Sequence, residues 1–315
     1  MGNLIAVATA KDKKSLWSGH FGVSPFYSIF DEEGNLIEQR ENPFSKDKHH
    51  DDPFKVKEFL SDVSTFVGKN MGQKSRKKLT EKLKVRTLLV SAEDIYDAVK
   101  YYLDAKKNID VFERCTDKYE DWFDKYPAVY ESEINMLKSI MPKWDRAIEI
   151  GVGSGRFAYP LGIKEGVEPS DSMSKIAQER GIKVYPGFAE NLPILDEEYD
   201  FVLMAVTICF VKEPMKSLKE VYRILKKDGK TIVAIVDRET AIGKEYLRKK
   251  EKGEFYKNVN FFSTKELIDM MKEVGFEIEG VYQTLFADSI KEIKESQPYK
   301  EGFSEGGFVA VLGVK

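Results

Sequence analysis

The residues best suited to chemistry lie between Arg146 and Phe157, RAIEIGVGSGRF, where an apolar stretch ends in an acid and breaks into three alternating glycines. Ala147, Ile148 and Ile150 predict a strand buried on both faces. Gly151, Gly153 and Gly155 then allow a turn free of Cβ clashes, so that a ligand can press against the main chain. A dinucleotide fingerprint spaces its glycines G-x-G-x-x-G to seat a pyrophosphate on a helix N-terminus. Here the third fingerprint position is Arg156, and Glu149 stands two residues before the first glycine. A carboxylate at that place repels a pyrophosphate and suits a cationic ligand carrying an amino group.

A second acid, Glu168, ends the short apolar stretch from Ile163 to Val167, where open α/β sheets hold ribose hydroxyls about 20 residues beyond the glycine turn. S-adenosylmethionine has the matching chemistry: a sulfonium, an ammonium, a ribose and no phosphate. Four ordered blocks then carry a family resemblance. They are EIGVGSG at 149–155, VEPSDSM at 167–173, GFAENLPI at 187–194 and YDFVLMAVTICFV at 199–211. On these blocks residues 119–315 resemble the class I S-adenosylmethionine-dependent methyltransferases, with the pattern called methyltransferase type 11.

The resemblance implies a Rossmann-like, seven-stranded α/β sheet whose last strand, from Gly307 to Val314, runs antiparallel. It also implies a site. Glu149 and the backbone from Gly151 through Gly153 to Gly155 would hold the methionine part, and Glu168 the ribose. Pro169 and Met173 would flank the adenine, while Ala189, Glu190 and Asn191 would lie at its edge. Val206, opening the stretch to Cys209, would face the sulfonium and the methyl acceptor, a small molecule the sequence does not name.

Methyl transfer is an in-line displacement that needs the acceptor atom held about 3 to 3.5 Å from the methyl carbon. All three histidines lie within residues 1–108, so a base in the C-terminal part would be Asp, Glu, Tyr, Lys or water. Tyr119, Tyr126, Tyr130, Asp237 and Glu239 are candidates that no spacing singles out, and the catalytic residue stays unassigned. Cys209, in an apolar strand end, reads as a small buried hydrophobe. The charged insertion 237–263 carries Phe255, Tyr256, Phe261 and Phe262, which either line an acceptor site or tuck the insertion onto the domain. Two rival readings stand beside this one: a non-catalytic ligand or metal-cofactor carrier, and an NAD-dependent oxidoreductase, against which Arg156 argues.

The N-terminal part opens on a strand, Leu4 to Thr9, followed by a hairpin of Phe26–Phe30 and Leu36–Arg40 around Glu33-Gly34-Asn35. Apolar strands at 63–67 and 85–90 alternate with helical stretches near 54–61, 73–83 and 93–103, which predicts a small three-layer α/β domain. SGHFGVSPFYSIFDEEGN at 18–35, ENPF at 41–44 and FVGKNMGQKSRKKL at 66–79 resemble the dinitrogenase iron-molybdenum cofactor family, which implies a ribonuclease H-like fold and includes metal-cluster carriers. His20, in the HFG block, is a conceivable metal ligand. Yet no cysteine lies in residues 1–108, and His49-His50-Asp51-Asp52 reads as a solvated loop, so no metal is assigned. The basic run from Lys69 to Arg86, eight Lys or Arg against one Glu, reads as a solvated helix face and not a nucleic-acid grip. Mixed charge in 105–123 places the domain boundary near Asn108, dividing 1–108 from 109–315.

Composition sets the frame. A chain of 315 residues, 42% hydrophobic and 33% charged with net charge −3, has room for two ordinary cores and shows no demand for nucleic acid. Two cysteines, Cys115 and Cys209, do not make a disulfide scaffold, which fits a reducing cytoplasm. The longest apolar run, Phe201 to Val211, is far short of the roughly 20 residues that span a bilayer, so no membrane association is expected. LIAVATA near the start lacks a preceding basic residue and reads as a buried first strand, not a secretory leader. Oligomeric state is left open.

Overall fold

A computed structural model describes the chain except residues 1–3, 47–52, 251–252, 254 and 258; the predicted loop at His49 and His50 lies outside the described residues. The chain forms two compact units: Met1–Lys107 together with Tyr185–Leu195, and Asn108–Val184 together with Asp196–Lys315.

In the first unit β1 (Leu4–Thr9), β2 (Phe26–Phe30) and β3 (Leu36–Glu41) pair antiparallel. β4 (Val63–Gly68) and β5 (Arg86–Leu89) add in parallel on the other side of β1, for the order β3-β2-β1-β4-β5. The hairpin turns where expected: Gly34 is left-handed at φ 87°, and Asp31 Oδ1 accepts from the backbone N–H of Glu33 at 3.1 Å and of Asn35 at 2.7 Å. Helices α1 (Pro53–Phe59) and α2 (Gln73–Leu83) bury Val56 and Leu79 in one core with Ala6, Ala8 and Phe66. On the opposite face α3 (Ile95–Arg114) sets the Tyr96 ring edge-on to Phe30 at 5.8 Å and the Tyr102 hydroxyl 3.5 Å from that of Thr65. Three layers result, as expected. α3 outruns its predicted end at 103 because Ala105 and Val111 keep an apolar face buried through the mixed-charge residues.

The second unit leads with α4 (Thr116–Lys125) and α5 (Pro127–Ile140). Then follow β6 (Ala147–Ile150), α6 (Ala158–Leu161), β7 (Glu165–Glu168), α7 (Asp171–Glu179), β8 (Lys183–Pro186) and β9 (Tyr199–Ala205). The remainder is α8 (Pro214–Ile224), β10 (Leu225–Val236), α9 (Ala241–Lys249), α10 (Thr264–Val274), β11 (Glu277–Thr284), β12 (Lys300–Glu301) and β13 (Phe308–Val314). The sheet order is β12-β11-β13-β10-β9-β6-β7-β8, with β7, β6, β9 and β10 mutually parallel and β13 antiparallel to both β10 and β11. The antiparallel last strand is as expected; the count is eight strands where seven were expected. The extra one, β12, is two exposed residues paired to Tyr282 and Gln283, so no apolar pattern announces it.

Lys227-Asp228-Gly229 forms a bulge inside β10. The register jumps from Leu225 opposite Tyr199 to Lys230 opposite Phe201, and Asp228 adopts φ 61°. Phe201, Leu203, Ile232 and Ala234 are wholly buried, so the sheet centre that carries the β6 turn is rigid. Among the described residues no helix is long and apolar enough to cross a membrane.

Candidate functional site

The β6 turn is built from left-handed backbone. Gly151, Gly153 and Gly155 have φ of 70°, 55° and 85°. At Gly151 the constraint is double, since a Cβ would stand 2.2 Å from Thr207 Cγ2. At Gly153 a Cβ would meet only the Tyr119 hydroxyl at 3.5 Å, so conformation alone demands glycine there. Gly151 N and Val152 N both donate to Val167 O, at 2.8 and 3.1 Å, which ties the turn to β7.

Glu149, one residue before the end of this strand, is 1% exposed, and its Oε2 has no hydrogen-bond partner. Burial, with the Glu168 charge adding to it against an Ala158 backbone N–H, holds its carboxyl well above the usual range. A buried, unpartnered carboxylate oxygen is costly unless a donor or cation completes it. Glu168 is nearly buried and oriented by two backbone donors, Gly153 N to Oε2 at 2.9 Å and Ser170 N to Oε1 at 2.8 Å. Ser170 caps α7 by accepting from Met173 N at 3.2 Å, which buries Met173 and sets Pro169 in the intervening turn.

Three groups that the sequence reading passed over brace these loops. Glu113 on α3 accepts from Asp171 N at 2.5 Å, Ser172 N at 3.1 Å and Ser172 Oγ at 2.5 Å. Burial works against its charge, but those hydrogen bonds hold its carboxyl below the ordinary value. Glu120 on α4 accepts from Arg156 Nε at 2.9 Å and Arg180 Nη2 at 2.5 Å, and Arg180 Nη1 also reaches Ser154 O at 2.6 Å. Arg156, the residue that breaks the dinucleotide spacing, is thus committed to α4, with its guanidinium 4.9 Å from the centre of the Phe123 ring. An acid on α3 or α4 has no periodic signature; only α3 being longer than predicted brings Glu113 to α7.

Beyond β9 the chain is strained at Val206, a β-branched residue at φ 55° held by its N–H to Ala234 O at 2.9 Å. Thr207 follows and packs on Gly151. Cys209 is buried, its thiol pushed up to about 12 by burial, which fits the small-hydrophobe reading. Among the candidate bases, Tyr119 is held neutral by burial and by Glu149, Glu120 and Glu168, and the Tyr130 hydroxyl donates to Arg156 O. Asp237 is spent on structure: Oδ2 accepts from Thr264 N at 3.1 Å and Thr264 Oγ1 at 2.5 Å, and Oδ1 from Glu239 N at 2.8 Å. Glu239 pairs at the surface with Arg238 at 3.2 Å. Tyr126 stacks obliquely against Trp122 at 5.7 Å.

In the insertion Tyr256 packs edge-on against Tyr246 at 5.1 Å, with Phe261 6.1 Å from Tyr256, and Phe255 lies 5.7 Å from Phe112. Arg238 N bonds to Phe262 O at 3.2 Å. Glu133 on α5, unremarked in the sequence, is buried, and desolvation pushes its carboxyl up to about 8.

Ala189, Glu190 and Asn191 form one buried 3-10 turn in the segment that clusters with the first unit. There Arg76 Nη2 donates to Asn191 O at 2.7 Å and Leu192 O at 2.8 Å, Leu89 N donates to Asn191 Oδ1 at 3.2 Å, and the Tyr102 ring meets Phe188 edge-on at 5.9 Å. The basic run is therefore not uniformly solvated, since Arg76 and Arg86 are buried. His20 nitrogens lie 3.3 Å from Gly22 N and 3.2 Å from Gly72 N, so the ring is held by backbone. Among the described residues no group of three His, Cys, Asp or Glu side chains could hold a metal ion.

The carboxylate pair and the left-handed turn fit a ligand that is cationic near Glu149 and hydroxylated near Glu168. Comparisons with known proteins agree. Residues 148–233 match the family model "Methyltransferase domain", and residues 3–105 match "Dinitrogenase iron-molybdenum cofactor". An uncharacterised protein of Methanocaldococcus jannaschii is 46% identical over 207 residues, 66% of this chain and 100% of that one. A Thermotoga maritima crystal structure, described as an S-adenosylmethionine-dependent methyltransferase and possible histamine N-methyltransferase, is 54% identical. It covers 65% of this chain and 98% of its own, with a TM-score of 0.64. A methyltransferase solved with the Haloferax volcanii Trm112 activator, 19% identical over 64% of this chain and 96% of its own at TM-score 0.50, shares the fold.

Proposed function

Because the chain belongs to the S-adenosylmethionine-dependent methyltransferases, we propose that it moves the methyl group of that cofactor to a small-molecule acceptor by direct displacement. The observation that carries the site is the buried Glu149 Oε2 without a partner, at the strand end where a cationic amino group would complete it. In this reading Glu149 takes the cofactor ammonium, and the Gly151–Gly155 backbone holds the methionine part. Glu168, aligned by Gly153 N and Ser170 N, takes the ribose hydroxyls. Pro169 and Met173 flank the adenine, Ala189, Glu190 and Asn191 meet its edge, and Val206 faces the methyl.

The cofactor supplies an electrophilic methyl; the chain's residues orient it and exclude water, which are the main levers for a displacement. Positioning suffices for a neutral amine or a thiol, in keeping with the candidate bases Asp237 and Tyr130 being engaged in structural hydrogen bonds. The Thermotoga relative's description makes amines the acceptors to screen first. We assign residues 109–315 to this domain and 1–108 to the cofactor-carrier-like one.

Titration calorimetry with S-adenosylmethionine and S-adenosylhomocysteine tests this. Micromolar binding that Glu168→Ala abolishes supports the site; absence of binding by the wild type overturns it.

A further inference from the structure

Glu133 occupies a helix position that packing reserves for an apolar side chain. On α5 the buried residues Val129, Ser132, Glu133, Met136 and Leu137 keep the spacing of a core-facing stripe. Glu133 is 5% exposed, and among the described residues its carboxyl meets neither a hydrogen-bond donor nor a cation, so burial alone raises it. An uncompensated acid there costs stability and contributes none, which points to a partner that arrives from outside the chain. Its helix is pinned on both sides. The Tyr130 hydroxyl donates to Arg156 O, and Ser132 Oγ accepts from Gln297 N at 2.9 Å.

What surrounds Glu133 within the second unit is aromatic. Besides burial, its charge acts on Tyr119 from α4, Tyr130 from α5 and Tyr246 from α9; Tyr119 also faces Glu149, Glu120 and Glu168, and Tyr130 faces Arg156, Arg180 and Glu149. Tyr119, Tyr130 and Tyr256 are only half-buried, yet desolvation is the main influence on each hydroxyl, so their open surfaces line a recess and not a convex face. On one side of it a Cβ at Gly153 would stand 3.5 Å from the Tyr119 hydroxyl, which sets that ring against the glycine turn. On the other, Tyr246 meets Tyr256 edge-on at 5.1 Å, and Tyr256 neighbours Cys209, whose thiol donates to Val206 O at 3.3 Å. A chain of neighbours thus joins Glu133 to the turn and to the residue read above as facing the methyl.

We propose that Glu133 is the acceptor-binding acid of this site: it takes the ammonium of a small amine among these rings and accepts one N–H proton from it. The proposal rests on the methyltransferase reading above and names its acceptor class and its base. Aromatic faces attract the same charge through cation–π contact. In the proton step an N–H bond breaks, an O–H bond forms on Glu133, and the electron pair left on nitrogen is free for the displacement; the proton passes to water when product leaves. Burial brings the two groups closer in acidity. An alkylammonium releases its proton near ~10.4, about 6 units above a carboxyl at 4.5 but only about 2 above one at about 8.

The test uses the full-length protein saturated with S-adenosylhomocysteine, which carries the ammonium for Glu149 and no methyl, so that Glu149 is already engaged and no turnover occurs. Ethylamine, benzylamine and 2-phenylethylamine are titrated in by calorimetry in buffers of different ionisation enthalpy, with 2-phenylethanol as the uncharged control. At pH 6.5 the free Glu133 carboxyl is protonated, so an amine is expected to bind with release of about one proton, and to tighten about 10-fold per pH unit up to pH 8. Glu133→Gln should release no proton and lose roughly 30-fold or more in amine affinity while keeping its affinity for S-adenosylhomocysteine. Glu131→Gln, an exposed change on the same helix, should match the wild type. Should Glu133→Gln not fold, Glu133→Asp keeps the carboxyl one methylene short and is expected to bind amine more weakly with proton release intact. Wild-type protein that binds S-adenosylhomocysteine but none of the amines, or binds them without releasing a proton, overturns the inference and leaves the methyltransferase reading intact, as does a Glu133→Gln variant that behaves like the wild type. No binding of S-adenosylhomocysteine by the wild type would instead remove the reading on which it stands.

Discussion

Glu113 on α3 and Ser172 at the start of α7 are joined twice, through the Ser172 hydroxyl at 2.5 Å and its backbone N–H at 3.1 Å, although 59 residues separate them. A carboxylate at a helix N-terminus satisfies orphan donors and meets the positive end of the dipole. Its third contact, Asp171 N, lies three residues beyond Glu168, so Glu113 fixes the loop that carries the acid proposed to take the ribose. Glu113→Ala is expected to cost about 1–2 kcal/mol of stability, by urea unfolding, and to weaken S-adenosylmethionine binding several-fold. Unchanged affinity with reduced stability would confine Glu113 to a purely structural role.

Gly151 and Gly162 separate conformation from space. Both are left-handed, but a Cβ at Gly162 meets nothing within 4 Å, whereas at Gly151 it stands 2.2 Å from Thr207. Gly162→Ala should cost about 1 kcal/mol. Gly151→Ala should cost several times that and abolish cofactor binding, because Thr207 and the β6 turn must part. Thermal midpoints and calorimetry on the two variants decide it, and equal losses would refute the steric account.

Glu149 makes binding pH-dependent with a definite sign. Its carboxyl is protonated well above the usual range in the free protein, and a cationic ligand favours the ionised form. Affinity for S-adenosylmethionine should therefore tighten as pH rises towards that raised value, with a proton released to buffer on binding. Calorimetry in buffers of different ionisation enthalpy reads the proton count. Glu149→Gln should flatten the profile, and a wild-type profile that is already flat would dismiss the pairing.

Glu133 governs stability over a different window. Its folded value of about 8 exceeds the ordinary 4.5, so between these the folded state holds a proton that the unfolded state has lost. Stability should then fall by up to about 1.4 kcal/mol per pH unit between pH 5 and 8 from this group alone. Glu133→Gln removes that slope, making the variant relatively more stable at pH 8 than at pH 5. Denaturant midpoints across the range give the answer; parallel profiles for the two proteins would show that Glu133 is solvated.

The amino-acid order alone determined what depends on near neighbours. Three glycines after a strand of Ala147, Ile148 and Ile150 allow a turn free of Cβ clashes, and the chain turns there, through left-handed backbone. The apolar run of β1, the hairpin at Gly34 and the helix of α2 follow from short-range pattern and turn chemistry, so their bounds were legible to within a residue or two. The antiparallel β13 was legible through family resemblance and not through its own residues.

Tertiary structure decided what depends on distant partners. Arg76 belongs to Asn191, 115 residues away, and Glu120 to Arg180, 60 away. A lysine-rich helix gives no sign of which cation will be buried, since charge carries no period that marks its partner. Whether Asp237 is a base or a strut is likewise set by Thr264, at the start of α10, arriving at 2.5 Å. Local propensity chooses the elements; packing and the cost of leaving a buried polar group unpaired choose which side chains meet.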